Sequence, residues 1–166
     1  KSSADIKGTQ LVFCDLSTPK KPYSEYECGK DFDAYNDLKH KLIERGIPEN
    51  EIAFIHDANT DRAKQDLFDK INAGAVRVLI GSTEKCGAGT NVQKRLVAIH
   101  HLDAPYRPRD LIQRNGRGIR QGNMNKDIRI YTYATERTFD SYSYQILENK
   151  QRFISQVEKG DMTVRE

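Results

Sequence analysis

The chain has 166 residues, of which 37% are hydrophobic and 31% charged, and its formal net charge is +3. This composition predicts one globular domain with its own core and excludes a disordered chain. Cys14, Cys28 and Cys86 are odd in number and far apart, which argues against a disulfide framework or a zinc site. No apolar run approaches the roughly 20 residues of a membrane span. We therefore expect an intracellular, cytoplasmic protein with no membrane partner.

Strand and helix patterns alternate along the chain. Short apolar runs bounded by turn residues predict five strands, the last of them at a sheet edge. These runs are residues 10–16, 52–55, 76–80, 96–102 and 127–133. Apolar residues at helical spacing predict four helices. They carry Phe32, Tyr35, Leu38 and Leu42; then Ala63, Leu67 and Ile71; then Leu111 and Ile112; and finally Phe139, Tyr142, Ile146, Phe153 and Val157.

Capping and turn residues set the expected boundaries of these elements. Asn59 or Thr60 is expected to cap the second helix, Gly74 to end it, and Pro108 to begin the third. Residues 17–31 predict an insertion, residues 136–159 a long C-terminal helix, and residues 1–9 a flexible N-terminal segment. Because that segment lacks an initiator Met, we expect a piece of a longer protein. Alternating strands and helices predict an α/β fold with a mostly parallel sheet, whose ligands bind at the carboxyl ends of the strands.

Two loops at that predicted rim carry candidate chemistry. The loop at residues 81–91 follows a buried strand and contains the hydroxyls of Ser82 and Thr83 and the glycines Gly87 and Gly89. Hydroxyls and exposed amides are donors that a phosphate backbone or a nucleotide needs. A Gly-x-Gly pattern alone is equally typical of a tight strand-to-helix turn.

The second loop is rich in arginine. Residues 113–122 place Arg114, Arg117 and Arg120 three residues apart, and glycines separate them. Guanidinium groups at this spacing are expected to converge on one polyanion, because their planar forks suit phosphate oxygens. The alternative is a solvated basic loop.

Together the two loops resemble motifs V and VI of superfamily 2 helicases and translocases, most closely those of the Snf2-like branch. Ser82-Thr83 and Gly87-Ala88-Gly89-Thr90-Asn91 resemble motif V. Asp103 and Pro108, followed by Gln113, Arg117, Arg120 and Gly122, resemble the pattern that ends in motif VI. Residues 113–120 also satisfy the wider superfamily pattern Gln-Arg-x-Gly-Arg-x-x-Arg.

The resemblance implies a RecA-like three-layer sandwich over residues 10–166, the second lobe of a DNA helicase or translocase. It implies that Arg120 is an arginine finger for the γ-phosphate of ATP, and that Arg117 assists at the phosphates or holds the lobe interface. The remaining implied roles fall on six residues: Gln113 would order the nucleotide site, Gly87, Gly89 and Asn91 would line the nucleotide cleft, and Ser82 and Thr83 would contact the nucleic-acid backbone.

The motifs that hold ATP itself are missing from the sequence. No Gly-x-x-x-x-Gly-Lys-Ser/Thr loop and no Asp-Glu-x-His or Asp-Glu-Ala-Asp stretch occurs. We therefore expect ATP and Mg²⁺ to bind mainly to an N-terminal RecA-like lobe, and the isolated fragment to be inactive. The resemblance implies double-stranded DNA as partner, a possible fused methyltransferase or nuclease domain, and a bacterial, phage or mobile-element origin.

Two alternatives remain open from the sequence. The arginines could serve phosphate contact alone, in a nucleic-acid-binding module without a motor. The lobe could instead belong to an RNA helicase. Asn91 argues against this alternative, because an acid at that position would favour the RNA branch.

Overall fold

An all-parallel sheet of five strands forms the centre of the fold, in a computed structural model that describes residues 6–28, 30, 32–86 and 89–158. The strands are β1 (Thr9–Phe13), β2 (Ile52–Phe54), β3 (Val78–Gly81), β4 (Leu96–His101) and β5 (Arg129–Thr132). Their order across the sheet is β2-β3-β1-β4-β5. The predicted α/β class, the parallel sheet and the edge position of the last strand are thus confirmed.

Four α-helices of the described chain connect or follow the strands. They are α1 (Ala34–Glu44), α2 (Asp61–Ala73), α3 (Pro108–Asn115) and α4 (Phe139–Glu158). Thr60, rather than Asn59, caps α2, since its Oγ1 accepts a hydrogen bond from the Ala63 amide at 3.1 Å. Gly74 ends the helix in the left-handed conformation, with a φ of 80°. The helix predicted over 136–159 begins three residues later, and residue 159 lies outside the described residues.

The core lies on both faces of the sheet, because successive side chains of a strand point to opposite sides. Leu11 and Phe13 of β1 pack on one face with Phe68 and Ile71 of α2. Val12 of β1 belongs to the cluster on the other face, which the side chains of α1 complete. Because β1 is the central strand of the sheet, the loop that follows it lies in the middle of the rim formed by the carboxyl ends of the strands.

The long C-terminal helix predicted from apolar spacing is present as α4. Much of its apolar stripe lies at the surface, since Phe139, Phe153 and Val157 are 76%, 66% and 64% exposed. The helix packs against α3 and buries Leu147. Phe32, placed on the apolar face of the first predicted helix, is also exposed and precedes α1.

The predicted insertion at residues 17–31 packs beside α1. Ser17 Oγ accepts a hydrogen bond from the Ala34 amide at 2.9 Å, and Asn36 Nδ2 donates to the Lys21 carbonyl at 3.1 Å. A short 3₁₀ turn at Tyr23–Glu25 brings the Tyr23 ring within 4.5 Å of Lys39 Nζ. Residues 29 and 31 lie outside the described part of the chain.

Residues 1–5 of the predicted flexible segment lie outside the described residues, and Thr9 is already the first residue of β1. Among the helices of the described chain, none combines the length and the apolar character needed to cross a membrane.

Gly81, the last residue of β3, lies too close to its neighbours to carry a side chain. A Cβ at this position would lie 2.6 Å from Ile55 Cγ2 and still closer to Cys86 Sγ. We expect Gly81→Ala to lower the free energy of unfolding by about 1–3 kcal/mol through overpacking, measured by urea denaturation.

The double variant Gly81→Ala/Cys86→Ala provides the control for this prediction. Removing the sulfur relieves the closest contact. The double variant should therefore lose less unfolding free energy than the two single variants lose in sum. Strict additivity would contradict the steric explanation.

Candidate functional site

The candidate site is built at the carboxyl ends of β1, β3 and β4. These parallel strands end at the same edge of the sheet, and the residues that follow them come together there. Asp15 follows β1, Ser82 and Thr83 follow β3, and Asp103 follows β4. The ends are tied by backbone hydrogen bonds from the Cys14 amide to the Gly81 carbonyl at 3.1 Å and from the Leu102 amide to the Phe13 carbonyl at 3.0 Å. The rim is therefore a rigid support for polar side chains.

Thr83 is held by the carboxylate of Asp15. Its amide donates to Asp15 Oδ1 at 2.6 Å, and its hydroxyl donates to Asp15 Oδ2 at 2.7 Å. Ser82 is nearly buried, and its Oγ accepts a hydrogen bond from the Lys85 amide at 3.2 Å. A serine hydroxyl that accepts one bond retains its hydrogen for donation. Both residues that the resemblance assigns to nucleic acid are thus fixed on the rim.

Arg114 corrects the expectation that three arginines converge on one polyanion. Its side chain has 0% exposure and lies inside the domain, 2.7 Å from Asp15 Oδ2 and 3.0 Å from Asp103 Oδ1. Its guanidinium also lies over the ring of Phe13, 5.2 Å from the centroid. A buried charge needs partners, and these two carboxylates supply them. Arg114 is therefore part of the framework and not of a phosphate-binding surface.

The electrostatics of Asp15 reflect this framework. Burial alone raises the pKa of Asp15, but the hydrogen bonds from Thr83 and the positive charge of Arg114 outweigh it. The net result is a pKa below the ordinary value of 3.8, so Asp15 is ionised at neutral pH.

Arg117 and Arg120 differ in exposure. Arg117 is 6% exposed, and its Nη1 is buried without a hydrogen-bond partner among the described residues. Burial, with the positive charge of Arg120, lowers the pKa of the Arg117 guanidinium. Arg120 is exposed, and its Nη1 donates to the Thr90 carbonyl at 3.3 Å. The structure therefore brings the arginine-rich turn that follows α3 (residues 116–122) against the loop that follows β3.

The glycine-bearing loop is only partly described. Gly87 lies outside the described residues, whereas Gly89 has a φ of 73°, a conformation that favours glycine. Asn91 is exposed, and its carbonyl accepts a hydrogen bond from Asn72 Nδ2 of α2 at 2.7 Å. Thus Asn91 is anchored through its backbone, and its side chain remains at the surface.

Four of the predicted site residues line two separate cavities. Gln113 shares a cleft of about 740 Å³ with Ser82, Thr83 and Asp15. Arg120 lines a second cavity of about 450 Å³, between the arginine-rich turn and β5. Gln113 therefore lies with the residues assigned to nucleic acid, and the arginine finger candidate lies beside a different opening.

His56 is a member of the larger cleft that the sequence did not single out as a site residue. It follows β2, its ring meets Tyr35 edge-on at 5.2 Å, and its Nδ1 is buried without a partner among the described residues. Burial and the positive charge of Lys85 lower the pKa of His56, so the imidazole is neutral at neutral pH. The only sequence signal was its position after a strand.

Cys86 lies in the loop but does not present a nucleophile. Burial raises the pKa of its thiol to about 12. Since the thiolate is the reactive form, Cys86 is a packing residue of the core.

One family model and one curated relative match this chain. The model of the helicase conserved C-terminal domain matches residues 28–122. Defense against restriction protein B of Escherichia phage P1 is 34% identical over 83 residues, which are 50% of this chain and 4% of that protein. The chain therefore spans only a small part of the curated relative that it matches.

A solved structure supports the fold. The C-terminal part of the Fun30 ATPase domain superposes with a TM-score of 0.64 at 19% identity, covering 87% of this chain and 41% of that one. The match confirms the predicted RecA-like arrangement of sheet and helices.

Proposed function

The chain belongs to the helicase conserved C-terminal domain family and is a superfamily 2 C-terminal lobe, and we propose that it works in an ATP-dependent DNA translocase of the Snf2-like branch. Its task in this proposal is to complete an ATP site whose other half lies on an N-terminal lobe. ATP and Mg²⁺ are bound mainly by that lobe. Arg120 supplies the positive charge that stabilises the γ-phosphate in the transition state, and Arg117 supports it.

The observation that carries the proposal is the contact between the loop that resembles motif V and the turn that resembles motif VI. Arg120 reaches the Thr90 carbonyl, in the loop that begins with Ser82 and Thr83. A change at the residues proposed to contact DNA can therefore reach the residue proposed to act on ATP within one lobe. Gly89 and Asn91 lie in the same loop, and Gln113 lies across the cleft from Thr83.

The burial of Arg114 favours this motor over a module that only binds nucleic acid. A phosphate-binding patch gains affinity from every exposed cation. Here the side chain of Arg114 is buried inside the domain, and that of Arg117 is nearly buried. Of the three arginines of this stretch, Arg120 is the exposed one.

We propose double-stranded DNA as the partner, within a larger intracellular protein of bacterial, phage or mobile-element origin. A fused methyltransferase or nuclease domain belongs to the same proposal. The support for a larger protein is the small share of the phage relative that the chain covers.

The proposal predicts that a protein carrying both lobes hydrolyses ATP faster when linear double-stranded DNA is added, and that the 166-residue chain alone hydrolyses none. Phosphate release is measured with duplex DNA, single-stranded DNA and single-stranded RNA in parallel. Stimulation by RNA alone would favour an RNA helicase. Binding of DNA without hydrolysis under any condition would favour the non-motor module.

A further inference from the structure

The side chain of Arg114 contacts residues from three different strand ends. Its Nε donates to Thr83 Oγ1 at 2.7 Å, beyond β3. Its Nη2 donates to Asp15 Oδ2 at 2.7 Å, beyond β1, and to Asp103 Oδ1 at 3.0 Å, beyond β4. Its Nη1 donates to the Asp103 carbonyl at 2.9 Å. One guanidinium therefore bridges the centre of the rim.

The carboxylates extend this network to the backbone. Asp103 Oδ2 accepts from the amide of Asp15 and, at 2.8 Å, from the amide of Leu16. Asp15 in turn holds both the amide and the hydroxyl of Thr83. A displacement of Thr83 therefore alters hydrogen bonds that Asp15 and Arg114 share.

Arg114 is also joined to the arginine-rich turn through its backbone. It lies in the last turn of α3, and its carbonyl accepts a hydrogen bond from the Arg117 amide at 3.2 Å. The next bond, from the Gly118 amide to the Asn115 carbonyl at 3.0 Å, continues the same turn. The position of Arg114 thus sets where the turn that leads to Arg120 begins.

We infer that Arg114 is a positioning residue that couples DNA contact at Thr83 to the placement of Arg117 and Arg120. The inference rests on the proposed function. The planar fork of the guanidinium makes the role specific to arginine, because it donates in fixed directions to several acceptors at once. An ammonium group at the same place keeps the charge and cannot hold all three strand ends in one geometry.

Arg114→Lys in the two-lobed protein tests the inference. Since charge is retained, Asp15 and Asp103 keep a cationic partner and the domain is expected to fold. The stimulation of ATP hydrolysis by linear duplex DNA should fall about tenfold, the size typical of coupling between sites. Hydrolysis without DNA should fall by a smaller factor, and the KM for ATP should remain that of the unaltered protein.

Two further variants keep the test decisive. Asp15→Asn removes the carboxylate to which both Arg114 and Thr83 donate, and it should lower the stimulation in the same direction. Arg109→Lys changes an exposed arginine of the same helix and should leave the stimulation unaltered. Melting temperatures recorded for all variants identify any loss that comes from unfolding.

The possible results separate the inference from the proposed function. Full stimulation in both Arg114→Lys and Asp15→Asn would overturn the coupling role, as would an equal fall of the rates with and without DNA. If the unaltered two-lobed protein shows no stimulation by DNA, the proposed function itself is wrong, and the coupling role falls with it.

Discussion

Replacing Arg120 by alanine is expected to lower DNA-stimulated ATP hydrolysis by the two-lobed protein by about 10³- to 10⁵-fold, the range attributed to arginine fingers. The physical reason is that a guanidinium at the γ-phosphate stabilises charge that develops only in the transition state. Arg120 is suited to the role because it is exposed and, among the described residues, its guanidinium is held by one hydrogen bond, to the Thr90 carbonyl at 3.3 Å. Steady-state phosphate release measures the effect.

The matched control for this prediction is Lys126→Ala. Lys126 is exposed and lines the same cavity as Arg120, so its removal changes the local charge by the same amount. Duplex affinity, measured by fluorescence anisotropy, should stay close to that of the unaltered protein in both variants. If Arg120→Ala weakens DNA binding and leaves the ATPase rate intact, Arg120 is a phosphate contact and not a finger.

Much of the fold could be predicted because strands and caps leave local signals. The five strands, the Thr60 cap and the Gly74 end of α2 depend on short-range sequence patterns. The order of the strands does not depend on such patterns, because it is set by how the connecting helices pack against the sheet. The placement of β1 between β3 and β4 is the feature that brings Asp15 next to Thr83.

The packing of α4 shows where periodicity stops being informative. A helical repeat of apolar residues indicates an amphipathic helix, but it does not say what covers the apolar side. Helix α3 has 8 residues and α4 has 20. At about 1.5 Å per residue, α3 is far too short to cover α4 along its length. Phe139 and Phe153 therefore remain exposed in this lobe.

The candidate site could be predicted only in part, because local motifs do not show which side chains become buried. The order of motifs V and VI located the loops, but the spacing of Arg114, Arg117 and Arg120 could not separate a buried arginine from an exposed one. The partner of Arg114 that the sequence did not reveal was Asp15, which is 32% exposed at the rim. Its only signal was an acid directly after a buried strand. The functional assignments of the site residues stay predictions until the experiments above are done.

The largest stability effect is expected from Arg114→Met in the 166-residue chain. Methionine fills a similar volume but leaves the Asp15 and Asp103 carboxylates without a cation, and Asp103 is only 5% exposed. Breaking a buried ion pair by removing one partner costs about 3–5 kcal/mol in the free energy of unfolding. Urea denaturation at neutral pH measures this loss. The exposed Arg109 of the same helix provides the matched control, and Arg109→Met should change stability by less than about 0.5 kcal/mol.

The pH dependence of that loss tests its electrostatic origin. In the unaltered chain the pKa of Asp15 is below 3.8, so the stability that its ionised form contributes is present above that value and is lost as the pH falls through the lowered pKa. Without Arg114, Asp15 loses a positive charge that helps to lower its pKa, so its ionised form contributes less to the stability of the variant. The difference between the two proteins should therefore be largest near neutral pH and shrink below pH 3.8. A constant difference across this range would mean that Arg114 stabilises the lobe by packing on Phe13 rather than by its charge.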